Sequence, residues 1–480
     1  MNSSPELDNQ LKSGLDSNNS KAEKNQDEVI KFVMSERVIP NKTRLRSLKN
    51  NFLTYSNLFK GVQEKRNYAG LANLFIPETL KSIETLVSIT HFGIFSNPVF
   101  MRYRGMEVSD DVSAQNMTDL NYYEMAENQF EVNFIDFERQ FFTYGTAIGK
   151  ILWDFKEREV FVVNRETGKR EKQLETYRDT WIFTPVDIFN FWIPPETPWY
   201  DIQKAEWLAE TENVKESWIR EKIKKGWISE SKGKELLDSY ENRTDYNSDI
   251  NYQEQRLQTS DISPTSGDKD KNKFLITNWY GLIPAKYVKD KDDELEDEEL
   301  VLGVCVVGND KTVLKLDKVI NVFWHNMYPY VSCSFIPLTG QFFGMGVAEI
   351  CKPLQEELND TRNQTMDNKT VILMNMWVMD KNAQISKKEL ELRPNGVIST
   401  LNMDGIRPLA PPLFTGVGVS IEGVIKEDIR QSVSAISGLQ GVPQPGVGSA
   451  TEFQGLQNAA MSRNRMIIKT LAEAVLKPIF

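Results

Sequence analysis

GQFFGMGVAEICKPLQEELNDTRNQTMDNKTVILMNMWVMD, Gly340 to Asp380, is the stretch on which the reading of the fold turns. An aromatic segment punctuated by Gly340, Gly344 and Gly346 leads into a long helical pattern. Val347, Ile350, Leu354 and Leu358 keep the three- and four-residue spacing of one helix face, and then the apolar stripe fades. Thr361, Gln364, Thr365, Asp367 and Asn368 stand where a core helix would carry Leu or Ile. A helix polar on nearly every side is expected to bridge solvent or to pack on copies of itself through polar contacts. Pro353 must lie in its first turns or kink it, since proline lacks the ladder N–H and its ring collides with a carbonyl one turn back.

Downstream, residues 378–413 read as short strands and turns. Pro394-Asn395-Gly396 marks a turn, Val397-Ile398 a strand, and Pro408, Pro411 and Pro412 an extended end. Ile421, Val424, Ile425, Ile429, Val433 and Ile436 then restore helical spacing, predicting a helix to Ser437 that Gly438 terminates. The loop LQGVPQPGVG, Leu439–Gly448, carries no charge. Ser449 and Glu452 form a capping box that opens another helix, with Phe453, Leu456, Ala460, Met466, Ile467, Leu471 and Val475 on its buried face.

Upstream, residues 1–27 are rich in Asn, Ser, Asp, Lys and Glu. They hold too little apolar surface to offset the entropy of ordering, so a disordered tail is expected. Helices are predicted over Asp27–Glu36, Lys42–Gly61 and Pro77–His91, the last with Leu80, Ile83, Leu86, Val87 and Thr90 on one face. A further helix over Thr118–Tyr144 carries Tyr122, Tyr123, Phe130, Phe134, Phe137, Phe141 and Phe142, which fit either a contact surface or an ordinary core. Beyond Gly145, strands are expected over Thr146–Phe155, Glu159–Asn164 and Thr180–Ile193, with a turn at Glu166–Lys169. Short helices over Val214–Lys225 and Ser229–Tyr240 precede a mobile insertion at 241–272. Strands resume over Phe274–Val288, Leu300–Val307 and Thr312–Trp324, and an acidic loop, 289–299, lies among them. No internal repeat is present.

The bulk composition narrows the function. Apolar residues make up 40% of the 480 and aromatic ones 10%, ample for a real core. A net charge of −11 argues against a static nucleic-acid binder, whose affinity comes from Lys and Arg on phosphates. Passing contact with DNA stays compatible with it. The three cysteines, Cys305, Cys333 and Cys351, lack paired spacing and read as reduced, mostly buried residues. No secretion signal opens the chain, and no apolar run reaches the roughly 18–20 residues of a membrane span.

Enzyme signatures are sparse. There is no G-x-x-x-x-G-K-[ST] to hold a triphosphate. Gly344-Met345-Gly346 before a helix fits a phosphate cradle only weakly and a tight turn better. Two histidines, His91 and His325, are too few and too far apart for a triad or a zinc site. The acidic loop, with eight carboxylates over Asp290–Glu299, lacks the glycine and ligand spacing of an EF-hand and reads as a solvated hairpin tip. No cofactor and no metal site are expected.

The succession of polar helix, small β-region, second helix, uncharged loop and third helix resembles the portal proteins of tailed bacteriophages, podovirus-type. Gln355, Asn359, Arg362, Asn363 and Asn368 carry the most specific part of that likeness. AGLANLFIPETLKSIETLVSITHFGIFSNPVFMRYRG (69–105) and TPVDIFNFWIPPETPWYDIQKAEWLAE (184–210) add to it. The resemblance implies an α+β portal fold: a wing over 28–345, a first stem helix over 346–377, a clip over 378–418 and a second stem helix over 419–437. A tunnel loop follows at 438–448, and a wing helix over 449–480, which ends mid-pattern and reads as truncated, with the helical crown absent.

The same resemblance implies a non-enzymatic ring of twelve copies in the virion, made in the host cytoplasm and sited at the capsid portal vertex, without a membrane. Its implied partners are double-stranded DNA passing through the channel, the terminase large subunit, capsid and scaffold proteins, and a head-tail adaptor. Leu439, Gln440, Gly441, Val442, Pro443, Gln444, Pro445, Gly446, Val447 and Gly448 would form the tunnel loop facing DNA. Gln355, Glu356, Asn359, Arg362, Asn363, Lys369, Lys426 and Arg430 would make stem contacts between subunits. Two other classes stay open: another virion ring such as a head-tail adaptor, and a carboxylate-metal enzyme acting on nucleic acid.

Overall fold

The computed structural model describes residues 26–62, 71–97, 99–163, 170–239, 256, 273–288, 296–373, 376–380, 406–409, 415–433 and 462–480. The described chain starts as one continuous helix over 26–60, not the two expected. Pro40 does not break it. The preceding turns, Lys31–Val38, open to π spacing, and the N–H of Ile39 reaches back five residues to the carbonyl of Met34. The wider turn accommodates a residue that has no N–H and crowds the carbonyl one turn back. Helix α1 (Ile39–Lys60) then ends at Gly61 with φ 72°. Helix α2 spans Glu78–Phe95 and buries Ile83, Leu86, Val87 and Ile94.

The aromatic helix is in fact two, α3 (Asp111–Glu127) and α4 (Phe130–Tyr144), separated by Gln129 at φ 52°. At the break the Asn128 side chain donates to Thr180 Oγ1 at 2.9 Å and accepts from Arg178 at 3.0 Å. These partners lie 52 and 50 residues away in sequence, so a tertiary contact fixes the Asn128 side chain at the break. Phe130, Phe134, Phe137, Phe141 and Phe142 are all buried, so α4 is a core helix.

Strands β1 (Thr146–Val163) and β2 (Arg170–Val186) form a long antiparallel hairpin, and β8 (Tyr330–Ser334) pairs only with the root of β1, Thr146–Lys150. A second, antiparallel sheet runs in the order β3 (Phe191–Trp192), β4 (Trp207–Lys215), β5 (Lys273–Pro284), β6 (Leu300–Gly308), β7 (Thr312–Lys318). β7 stops before the expected Trp324, because a helical turn, Val319–Val322, follows it. Val214 and Lys215, expected in a helix, close β4 instead.

Alternation along β6 serves two cores. Val306 packs with Ile219, Ile228 and Leu236 from helices α5 (Glu216–Lys224) and α6 (Glu230–Asp238) and the turn between them. Cys305 and Val307 face the larger core that contains Phe52 and Leu45 of α1.

A buried polar node ties the two sheets together. Lys150 of β1 bonds Glu210 and Glu212 of β4, and the hydroxyl of Tyr330 in β8 donates to Glu210 at 2.6 Å. Burial alone would push the Lys150 amine down. The two carboxylates beside it win and hold it protonated, above the ordinary lysine range.

The chain continues as α7 (Val347–Leu373), β9 (Met376–Met379), β10 (Ile406–Leu409) and α8 (Thr415–Ser432), and the last helix covers 462–479. Strand β9 starts at Met376, inside the 346–377 span expected to be helical, and α8 starts ahead of the expected 419. The structure is mixed helix and sheet, in agreement with α+β. No helix of the described residues is long and apolar enough to cross a membrane.

Candidate functional site

Gly344 and Gly346 set the start of α7 by sitting against the turn at Gly145. A Cβ on Gly145, whose φ is 80°, would meet the Met345 carbonyl carbon at 2.3 Å, and one on Gly346 would meet the Thr143 carbonyl oxygen at 2.5 Å. The N–H groups here are already engaged. Gly344 donates to Thr146 Oγ1 at 2.9 Å, and Met345 donates to the Ile336 carbonyl at 2.9 Å. The Gly-Met-Gly step is a close backbone crossing whose donors do not converge on an anion.

From there α7 runs as a polar strut. Its side chains at 355, 359, 363 and 367 lie one above another on a single face. Gln355 Oε1 accepts from the N–H of Thr79 at 3.1 Å, and its amide donates to the Ile76 carbonyl at 2.6 Å. Asn359 Oδ1 accepts from Ile76 N–H at 3.1 Å, and Asn363 Oδ1 from Leu74 N–H at 2.7 Å. Asp367 Oδ1 accepts from Ala72 N–H at 2.6 Å. The helix thus clamps the backbone of residues 72–79, which runs the opposite way along it. Neither expected use of a polar helix, bridging solvent or packing on its own copies, accounts for this face. It is spent inside the subunit.

β9 and β10 pair antiparallel, Met376 to Leu409 through Met379 to Ile406, and α8 returns beside α7. The two helices therefore make a hairpin whose far end carries a two-stranded ribbon. Arg362 of α7 lies 3.4 Å from Glu422 of α8, which Lys426 approaches at 3.9 Å. Arg430 lies 3.6 Å from Glu78 of α2. Glu78 and Glu422 are buried, so their cations neutralise charges that burial would otherwise penalise. At the hairpin root a cavity of about 430 Å³ is lined by Phe141, Ile350, Val433, Asn464, Met466 and their neighbours. Asn464 is buried with both amide atoms unpaired, and the cavity has room for the water such a group needs.

Among the expected stem contacts, then, Gln355, Asn359 and Asn363 are buried and bonded within the chain. Arg362, Lys426 and Arg430 make ion pairs within it, and Glu356 and the half-exposed Lys369 are open to solvent. Leu439 through Gly448 lie outside the described residues, as do most of the expected clip and part of the acidic loop. The i, i+4 row of amides was visible in the sequence. What it binds was not, because residues 72–79 are nearly three hundred positions away.

Both histidines are hydrogen-bonded within the chain. His91 Nδ1 lies 3.0 Å from Oε2 of the fully buried Glu138, whose carboxyl burial pushes up against the pull of His91. His325 Nδ1 accepts from the N–H of Met327 at 3.1 Å, and burial lowers its pKa. Among the described residues no group of three or more His, Cys, Asp or Glu could hold a metal ion.

A family model described as Phage SU10 portal protein matches residues 163–480, about two thirds of the chain. The match takes in β2, the five-stranded sheet, the helical hairpin and the last helix, and leaves residues 1–162 outside it. No curated protein matches the chain.

Proposed function

We propose a function from one premise: the chain belongs to the phage SU10 portal protein family and is a structural portal subunit of a phage capsid vertex. The family works as a ring together with the capsid and the packaging machinery. In our reading, α7 and α8 are the stem that surrounds double-stranded DNA during packaging and ejection. The β9–β10 ribbon and residues 378–418 are the clip that receives the terminase and later the tail adaptor. Residues 438–448 are the tunnel loop, and twelve copies close the ring. DNA movement is driven by the terminase, and the portal itself performs no catalysis.

The observation that carries this reading is the antiparallel pair α7 and α8 with a β-ribbon at its far end, within the span of the family match. A strut clamped to its own subunit by the amide ladder can hold its shape while its outer face meets a neighbour. Glu356, Lys369 and the other exposed residues of α7 are left for that contact.

Electron microscopy of the purified protein, paired with native mass, tests the proposal. Rings of twelve with a hole wide enough for duplex DNA are expected; monomers under capsid-assembly conditions would overturn it. Incubation with DNA and Mg²⁺ or Mn²⁺ should leave the DNA intact, and cleavage that tracks with the purified protein would favour the enzyme reading instead.

A further inference from the structure

We propose that the cavity at the root of the α7–α8 hairpin is a binding site for a small, flat, uncharged molecule with an amide edge, an N–H beside a C=O, as in a lactam or a cyclic imide. One chain supplies the site, so it does not depend on the ring.

The volume, about 430 Å³, falls in the range of small-molecule pockets, and the lining has their character, mostly apolar with few polar groups. Phe141, Trp199 and Phe335 supply aromatic wall, the two phenylalanines packed edge to face at 5.7 Å. Ile350, Val433 and Ile467 add aliphatic wall from α7, from just past α8 and from the last helix. Aromatic walls of this kind favour a flat ring. Among the described lining residues there is no carboxylate to receive a cation, and a hydrocarbon wall penalises any charge that leaves water. Ile336 and Met466 belong to the same lining and are 38% and 71% exposed, which marks the mouth.

The polar requirement comes from Asn464. The three hydroxyls of the lining have spent their protons on main-chain carbonyls: Ser334 donates to Phe342 at 3.1 Å, Ser432 to Ile429 at 2.8 Å and Thr470 to Met466 at 3.0 Å. Asn464 is 1% exposed, and neither its Oδ1 nor its Nδ2 has a partner. A carboxamide offers an acceptor and a donor side by side, and leaving both unmade in a buried place is costly. Asn363 shows what satisfies such a pair, since it takes the N–H and the C=O of Leu74 together. A ligand for Asn464 must carry the same two groups inward past Met466, which suits a compact ring better than a continuous main chain. Once bound, it would tie the feet of both hairpin helices to the last helix.

Carbostyril, a flat aromatic lactam, and N-methylcarbostyril test the site when titrated calorimetrically into the purified full chain, because the added methyl group removes the N–H. The wild type should bind carbostyril about tenfold more tightly than its methyl derivative, the worth of one hydrogen bond. Asn464→Leu should bind the two alike, and Met466→Trp, which blocks the mouth, should bind neither. Circular dichroism checks that both variants fold; if Asn464→Leu does not, the wild-type ratio and Met466→Trp decide. No saturable binding by the wild type overturns the inference and leaves the Asn464 amide to water. Equal affinities in the wild type, a tenfold ratio that survives Asn464→Leu, or unchanged binding to Met466→Trp overturn it as well. None of these results bears on the ring, which microscopy tests separately.

Discussion

Asn363 does something that an ionised carboxylate cannot. Its Oδ1 accepts from the N–H of Leu74 at 2.7 Å while its Nδ2 donates to the carbonyl of the same residue at 3.2 Å, the paired exchange that one strand makes with another. Replacing it with Ala leaves two backbone groups without partners. We expect Asn363→Ala to lower stability by about 1–3 kcal/mol, read from urea unfolding of the subunit. Glu138 allows a test by pH. Its pKa is raised in the folded protein by burial, so the folded state holds the proton more tightly than the unfolded one. Its contribution to stability is present at low pH and is lost as pH rises from the ordinary carboxylate value through the raised one. Subtracting the melting curve of Glu138→Gln from that of the wild type should isolate a difference that declines with pH across this window; a flat difference would remove Glu138 as its source.

At the scale of elements, the amide ladder works because two periods agree. Four residues of helix rise about 6 Å, and two residues of extended chain advance about 6.6 Å. Positions 367, 363 and 359 therefore meet residues 72, 74 and 76 in turn. The α7–α8 pairing depends on Arg362 and Glu422. Arg362→Met leaves Glu422 with only the more distant Lys426, and should cost about 1–3 kcal/mol in the isolated subunit. An effect confined to the assembled ring would mean that Arg362 acts between subunits, as the family resemblance implied, and not within the chain. Helix boundaries shifted where local chemistry competes with periodicity. Pro40 sits in a continuous helix because a π turn absorbs it, and the Asn128-Gln129 step divides a helix that the aromatic pattern alone would join.

For the whole molecule, the node of Lys150, Glu210, Glu212 and Tyr330 links the sheet that bears the β1–β2 hairpin to the five-stranded sheet. Lys150→Met should destabilise the protein by about 3–5 kcal/mol, since it strands a buried carboxylate, and a shift in the urea midpoint measures this. The sequence by itself determined the mixed helix-and-strand class, the two helices around a short β-region and the likeness that the family match bears out. Each of these follows from the order of local patterns along the chain. Only the tertiary structure decided where the polar face of α7 points and which cations meet Glu78 and Glu422. Those are contacts between residues remote in sequence. A buried amide and a solvated one have the same spelling, and only the fold says which backbone comes to meet it.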